Sequence, residues 1–134
     1  MSLTLHVDRQ RWDAHVRGFV AGVGVTVVPV TKGNGYGFGN AVLAAEAASL
    51  GAVTLAVGTY DEMDGVAAAF PGDLLVLTPW RPWMGVDVAG SSADRLIHTV
   101  SRLEDLRTLS ESGTRPRVVV EILTGMRRHG IEPD

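Results

Sequence analysis

Lys32 follows the apolar run Val25-Thr26-Val27-Val28-Pro29-Val30 and Thr31, and glycines occupy positions 33, 35, 37 and 39 after it. Lysine is the cationic side chain that can give up its proton and attack an aldehyde carbon, because arginine stays charged in a protein. Lys32 is also the only lysine, since the other eleven of the twelve basic residues are arginine. A GC-rich gene would explain the arginine bias but not the exception. Alternate glycines let the backbone approach a ligand and adopt positive φ, and a helix N-terminus placed directly after them favours an anion. Together these features suit a phosphate-bearing cofactor and a Schiff base on Lys32. The common nucleotide motifs do not fit: G-x-G-x-x-G fails in every register, and in a phosphate-binding P-loop the lysine comes after the glycines. The residues alone leave a second reading open, in which Lys32 reaches solvent from a strand end and the glycines serve only a tight turn.

The elements that must position Lys32 follow from hydrophobic runs. Val25 to Val30, Val53 to Val57, Leu74 to Leu77, Leu96 to Val100 and Val118 to Leu123 are short and β-branched, mostly without the alternation of a half-exposed strand, and so predict buried parallel strands. Helices are expected over Asp8 to Val20, Ala41 to Leu50 with Gly51 as its stop, Asp61 to Phe70, and Arg102 to Ser110. Thr59 with Glu62, and Ser101 with Glu104, have the spacing of a capping box. The stretch from Thr78 to Arg95 contains Pro79, Pro82 and Gly85 and predicts an irregular connection, in which Trp80, Trp83, Ser91 and Ser92 are weak pocket candidates. Strand and crossover alternate as in βα units, an α/β class that leaves a doubly wound sheet and part of a barrel equally open. The expected burial of Lys32 at the C-terminal end of its strand, where such folds build their sites, favours the uncharged amine.

Composition narrows the functions. A chain of 134 residues with 46% hydrophobic content can bury one core, and nothing divides it into two domains. The net charge of −3 comes without a basic run, which argues against a nucleic-acid partner. The absence of cysteine excludes disulfides and thiolate metal sites, and fits the cytoplasm. No apolar stretch approaches the roughly 20 residues needed to cross a bilayer. His6, His15, His98 and His129 have no metal-ligand spacing, so no metal is expected.

Two segments carry a resemblance. Lys32-Gly33-Asn34-Gly35-Tyr36-Gly37-Phe38-Gly39 resembles the Lys-Ala-Asn-Ala-Tyr-Gly-His-Gly segment of the alanine racemase family, and Glu121-Ile122-Leu123-Thr124-Gly125-Met126-Arg127-Arg128-His129-Gly130 resembles that family's Lys-Val-Asp-Thr-Gly-Met-x-Arg-x-Gly segment. The resemblance implies the N-terminal part of a TIM (β/α)8 barrel, with about five βα units over residues 1–134. A complete barrel would need three more strands and roughly another hundred residues. It also implies a pyridoxal 5'-phosphate-dependent racemase of small amino acids, homodimeric when full length. Lys32 would form the Schiff base and move the α-proton, Tyr36 would lie near the cofactor phosphate, Arg128 would hydrogen-bond the ring oxygen, and the backbone at Met126 would help seat a substrate carboxylate. The second base of such enzymes is a tyrosine from a C-terminal domain, so these residues alone are not expected to racemise.

This sequence departs from the pattern at Phe38, in place of His, and at Leu123, in place of Asp. Glu121 stands where many racemases carry a carbamylated lysine, and would supply directly the carboxylate that orients Arg128. The plainer roles are packing for Tyr36 and Met126 and a surface ion pair for Arg128. Two other functions remain: a non-catalytic domain that binds pyridoxal phosphate or a partner protein, and an amino-acid decarboxylase of the same barrel superfamily. Tyr36-Gly37 and the Thr124 to Arg128 block argue against the decarboxylase.

Overall fold

The computed structural model describes residues 3–87, 94–126 and 128–133, which leaves Ser91 and Ser92 outside. Helix α1 (Arg9–Val23) begins at Asp8, whose side chain accepts from the Arg11 amide, and ends at Gly24 in the left-handed conformation. Strand β1 (Val30–Thr31) leads into a single helical turn, α2 (Gly33–Tyr36), and then α3 (Asn40–Ser49). Strand β2 (Thr54–Val57) is followed by a 3-10 turn at Tyr60–Glu62 and a short α4 (Asp64–Ala67). Then come β3 (Asp73–Val76), a 3-10 turn at Pro82–Met84, β4 (Leu96–Val100), α5 (Leu103–Glu111) and β5 (Arg117–Val120).

The five strands form one parallel sheet in the order β1-β2-β3-β4-β5. That order decides between the two architectures. With right-handed crossovers, a sheet that advances steadily in one direction collects all its helices on one face, whereas a doubly wound sheet must reverse. The core lies accordingly. One cluster packs Leu55 and Val57 of β2 and Leu74 and Val76 of β3 against Ala44 and Ala47 of α3, Val66 of α4, and Phe70. A second gathers Trp80, Val100 and Leu109. Tyr60 packs against both.

Side chains alternate between the faces along each strand. Thr31, Val57, Val76, His98 and Val118 are in register, and Val57 and Val76 show that this set faces the helices. Val30, Ala56, Leu75, Ile97 and Arg117 form the alternate row, on the opposite face. Buried His98 meets the Tyr60 hydroxyl at 2.8 Å through Nδ1. Burial pushes the hydroxyl up from its usual range and the imidazole down.

Several expected boundaries differ. The first strand shrinks from Val25–Val30 to Val30–Thr31 because it has only β2 as a neighbour and Pro29 has no N–H to donate, although the Pro29 carbonyl still accepts from Ala56 at 2.8 Å. The helix expected over Asp61–Phe70 is split into the 3-10 turn and α4. The Thr59–Glu62 capping box forms. The Ser101–Glu104 box does not, because the cap residue is Arg102: Ser101 Oγ accepts from Arg81 at 3.0 Å and Glu104 pairs with Arg102. Trp80 is core, whereas Trp83 is exposed beneath the Arg102 guanidinium.

Asp105 is 1% exposed and accepts from Arg102 Nε and Nη2 at 2.7 Å each and from Arg81 Nη1 at 2.9 Å. The Arg102 guanidinium, with Arg81 behind it, holds the Asp105 carboxyl below the usual carboxylate range. Asp105→Asn should cost about 3 kcal/mol, because Arg81 loses its carboxylate partner and Arg102 loses its buried one, keeping only exposed Glu104. The stability given by ionised Asp105 is fully present above the ordinary carboxylate range and is lost as the pH falls through the lowered native value, so the variant's acid limb should be flatter. Urea unfolding between about pH 2 and pH 6 measures both effects.

Candidate functional site

Lys32 stands at the junction of β1 and α2 with extended backbone, φ −156° and ψ 164°. Alternation from Thr31 therefore puts it on the sheet face away from the helices. It is exposed there, so the burial expected to favour its free amine is not supplied by the described residues. At its level, directly after the end of β2, sits Gly58, where an added Cβ would come within 3.1 Å of the Lys32 Cβ.

The glycine segment winds left-handed. Gly33, Asn34, Gly35 and Tyr36 have φ of 56°, 56°, 60° and 54°, followed by 93° at Gly37. L-residues resist this region by roughly 1–2 kcal/mol each, asparagine less than most, so Tyr36 in particular needs its surroundings to hold it. Those surroundings are specific. The amides of Phe38 and Gly39 donate to the carbonyls of Gly35 and Asn34 at 2.9 and 3.0 Å. Behind the turn, the buried Thr31 hydroxyl donates to Asn40 Oδ1 at 3.1 Å. Glu62 binds its front edge, accepting from the Gly33 amide at 2.6 Å on one oxygen and from the amides of Gly58 and Thr59 at 2.8 and 3.2 Å on the other. Sequence reasoning found Glu62 only as a helix cap. Its hold on Gly33 spans 29 positions, and no local spacing signals it.

The second motif lies at the same end of the sheet. Glu121 continues the β5 ladder by donating its amide to Val100 at 2.8 Å, on the face shared by Val119 and Arg117. Glu121 Oε2 is buried and has no hydrogen-bond partner. Beyond it the chain turns back: Leu123 donates to the Ile131 carbonyl at 2.9 Å, and Ile131 to that of Glu121 at 2.8 Å. Arg128 is exposed, and no hydrogen bond or ion pair joins it to Glu121. Tyr36 and Met126 are 60% and 73% exposed, so neither is a core residue. An open apolar groove of about 280 Å³ lies elsewhere, lined by Trp12 of α1 and Val42, Leu43 and Glu46 of α3, with Phe38 as its link to the glycine turn and Lys32 outside it. Among the described residues no group of three or more His, Asp or Glu is placed to hold a metal ion, and no helix is long and apolar enough to cross a membrane.

Comparison with known proteins supplies the family. The model of the alanine racemase N-terminal domain matches residues 7–134. The chain belongs to the alanine racemase family. It is 34% identical over 125 residues to the alanine racemase of Geobacillus kaustophilus, covering 90% of this chain and 32% of that one. It is 30% identical over 113 residues to the alanine racemase of Desulfovibrio desulfuricans, covering 83% and 30%. The crystal structure of alanine racemase from Oenococcus oeni superposes with a TM-score of 0.69 at 25% identity, over 91% of this chain and 35% of that one. The sheet and helices therefore correspond to the N-terminal part of the TIM-barrel domain in that family. The chain spans about 30% of the length of the curated relatives it matches.

Gly130 makes the second motif possible. It has φ 130°, and a Cβ there would lie 2.4 Å from the Leu123 amide nitrogen and 2.6 Å from the Ile122 carbonyl carbon. Gly130→Ala should therefore open the contact between residues 122–123 and 131. The expected outcome is loss of amide-exchange protection at Leu123 and Ile131, with Val57 and Val76 unchanged.

Proposed function

We propose that this chain is the cofactor-binding part of a pyridoxal-phosphate-dependent amino-acid racemase, with Lys32 holding the cofactor. The observation that carries the reading is the single lysine on the open sheet face, at the C-terminal strand end, packed so closely on Gly58 that a Cβ there would lie 3.1 Å from the Lys32 Cβ. The residues fit the cofactor: an accessible amine, a close-approach backbone turn and a buried, unpartnered Glu121 oxygen stand on one side of the sheet. When bound, pyridoxal phosphate supplies an aldehyde for an amine and a ring that accepts the electrons left by α-proton removal. Lys32 Nζ would take that aldehyde and, when free, could accept a proton from the substrate α-carbon. Tyr36 would contact the phosphate, Arg128 the ring oxygen, and the Met126 backbone the substrate carboxylate. A small amino acid is the substrate class, with alanine suggested by the names of the relatives. A cytoplasmic homodimer, with further residues completing the site, belongs to the same reading.

The purified 134-residue chain, mixed with pyridoxal phosphate and reduced with borohydride, should carry the adduct on the peptide containing Lys32, and Lys32→Arg should carry none. A folded chain without that adduct would overturn the assignment. Glu121 is assigned the role of orienting Arg128. Glu121→Gln should raise the apparent dissociation constant for pyridoxal phosphate several-fold, since a charge-assisted hydrogen bond is roughly twice as strong as a neutral one. Unchanged binding would count against that role.

A further inference from the structure

We propose that Glu62 is a positioning residue for Lys32, acting through the Gly33 peptide; this rests on the reading of Lys32 as the cofactor lysine. Gly33 is the residue directly after Lys32, and its amide gives the shortest of the three backbone bonds to Glu62, 2.6 Å to Oε1. The other oxygen is fixed by the Gly58 and Thr59 amides at 2.8 and 3.2 Å. One half-buried carboxylate thus binds three backbone donors from two segments, one directly after Lys32 and one directly after β2. The two segments also pack closely at the lysine, because a Cβ on Gly58 would lie 2.7 Å from Glu62 Oε2 and 3.1 Å from the Lys32 Cβ.

Three features make this more than a helix cap. A cap needs only the Thr59 amide, yet the longest of the three bonds is the one to Thr59. The residues Glu62 restrains begin a left-handed turn that includes Tyr36, a conformation that persists only when neighbouring contacts over-determine it. Gly58, finally, has no side chain that could do the same work, and any Cβ there would displace the carboxylate. Glu62 therefore fixes the direction in which Lys32 leaves the strand. A carboxylate serves where an amide would not, because a glutamine must turn its NH2 group toward one of three N–H donors.

Glu62→Gln separates this role from a structural one. The expected result is about a tenfold loss of amide-exchange protection at Gly33, with Val57 and Val76 unchanged, together with about a tenfold weaker apparent binding of pyridoxal phosphate to Lys32, read by absorbance and by borohydride trapping. Asp61→Asn removes a neighbouring exposed charge and should change neither. Equal loss of protection at Gly33 and across the sheet would overturn the proposal in favour of a purely structural Glu62. Loss at Gly33 with undiminished labelling of Lys32 would overturn it as well. A wild-type chain that keeps Gly33 protected but takes no adduct would overturn the cofactor reading, and with it this role, while leaving the hydrogen bonds as found.

Discussion

Each strand after the first is laid parallel to the one before it, and the neighbour order never reverses. Such a sheet has unlike faces, because right-handed crossovers bring every helix to one of them. Alternation then divides the side chains. Thr31, Val57, Val76, His98 and Val118 go to the helices, and their alternates go to the opposite face. A single peptide step from Thr31 to Lys32 crosses from the packed layer to the open one, so the position of the amine is a consequence of strand register. The Asp73–Arg117 pair, with bonds of 2.6 and 2.5 Å, ties β3 to β5 at the opposite end of the sheet, away from the lysine.

The family correspondence and the local geometry support each other without overlapping. Identity to alanine racemases concerns roughly the first third of those proteins, as does the superposition on the Oenococcus oeni enzyme. What the geometry adds is the way this sequence holds its own turn. Glycines stand at 33 and 35, five successive residues have positive φ, and a distant carboxylate fastens the first of them.

Much of this was legible in the sequence, for reasons that differ from element to element. The β-branched runs announce strands directly, although only β2 to β4 are buried while Val30, Val119 and Val120 on the edge strands are exposed; Gly51 announces the end of α3, and Lys32 announces itself by being the only lysine. The strand order was not legible, because hydrophobic periodicity records burial but not which neighbour does the burying. Pro29 shortened the first strand by lacking a donor, a loss visible in the residue type but not in its run of valines. Ser101 and Glu104 have capping-box spacing, yet arginines at 81 and 102 claim both side chains. The exposure of Lys32, Tyr36, Met126 and Arg128 was equally hidden, since solvent contact depends on what covers the open face. Glu62 was half legible: its link to Thr59 is local, its link to Gly33 is not.

Tyr60 opens the 3-10 turn that carries Glu62, and its ring packs against both hydrophobic clusters while its hydroxyl meets His98 on β4. Mechanically, the carboxylate that grips the lysine turn is therefore mounted on a post sunk into the middle of the molecule. Thermal loosening anywhere in either cluster reaches the turn through two covalent steps, from residue 60 to residue 62. The placement of the backbone that follows Lys32 is in this sense a property of the whole sheet.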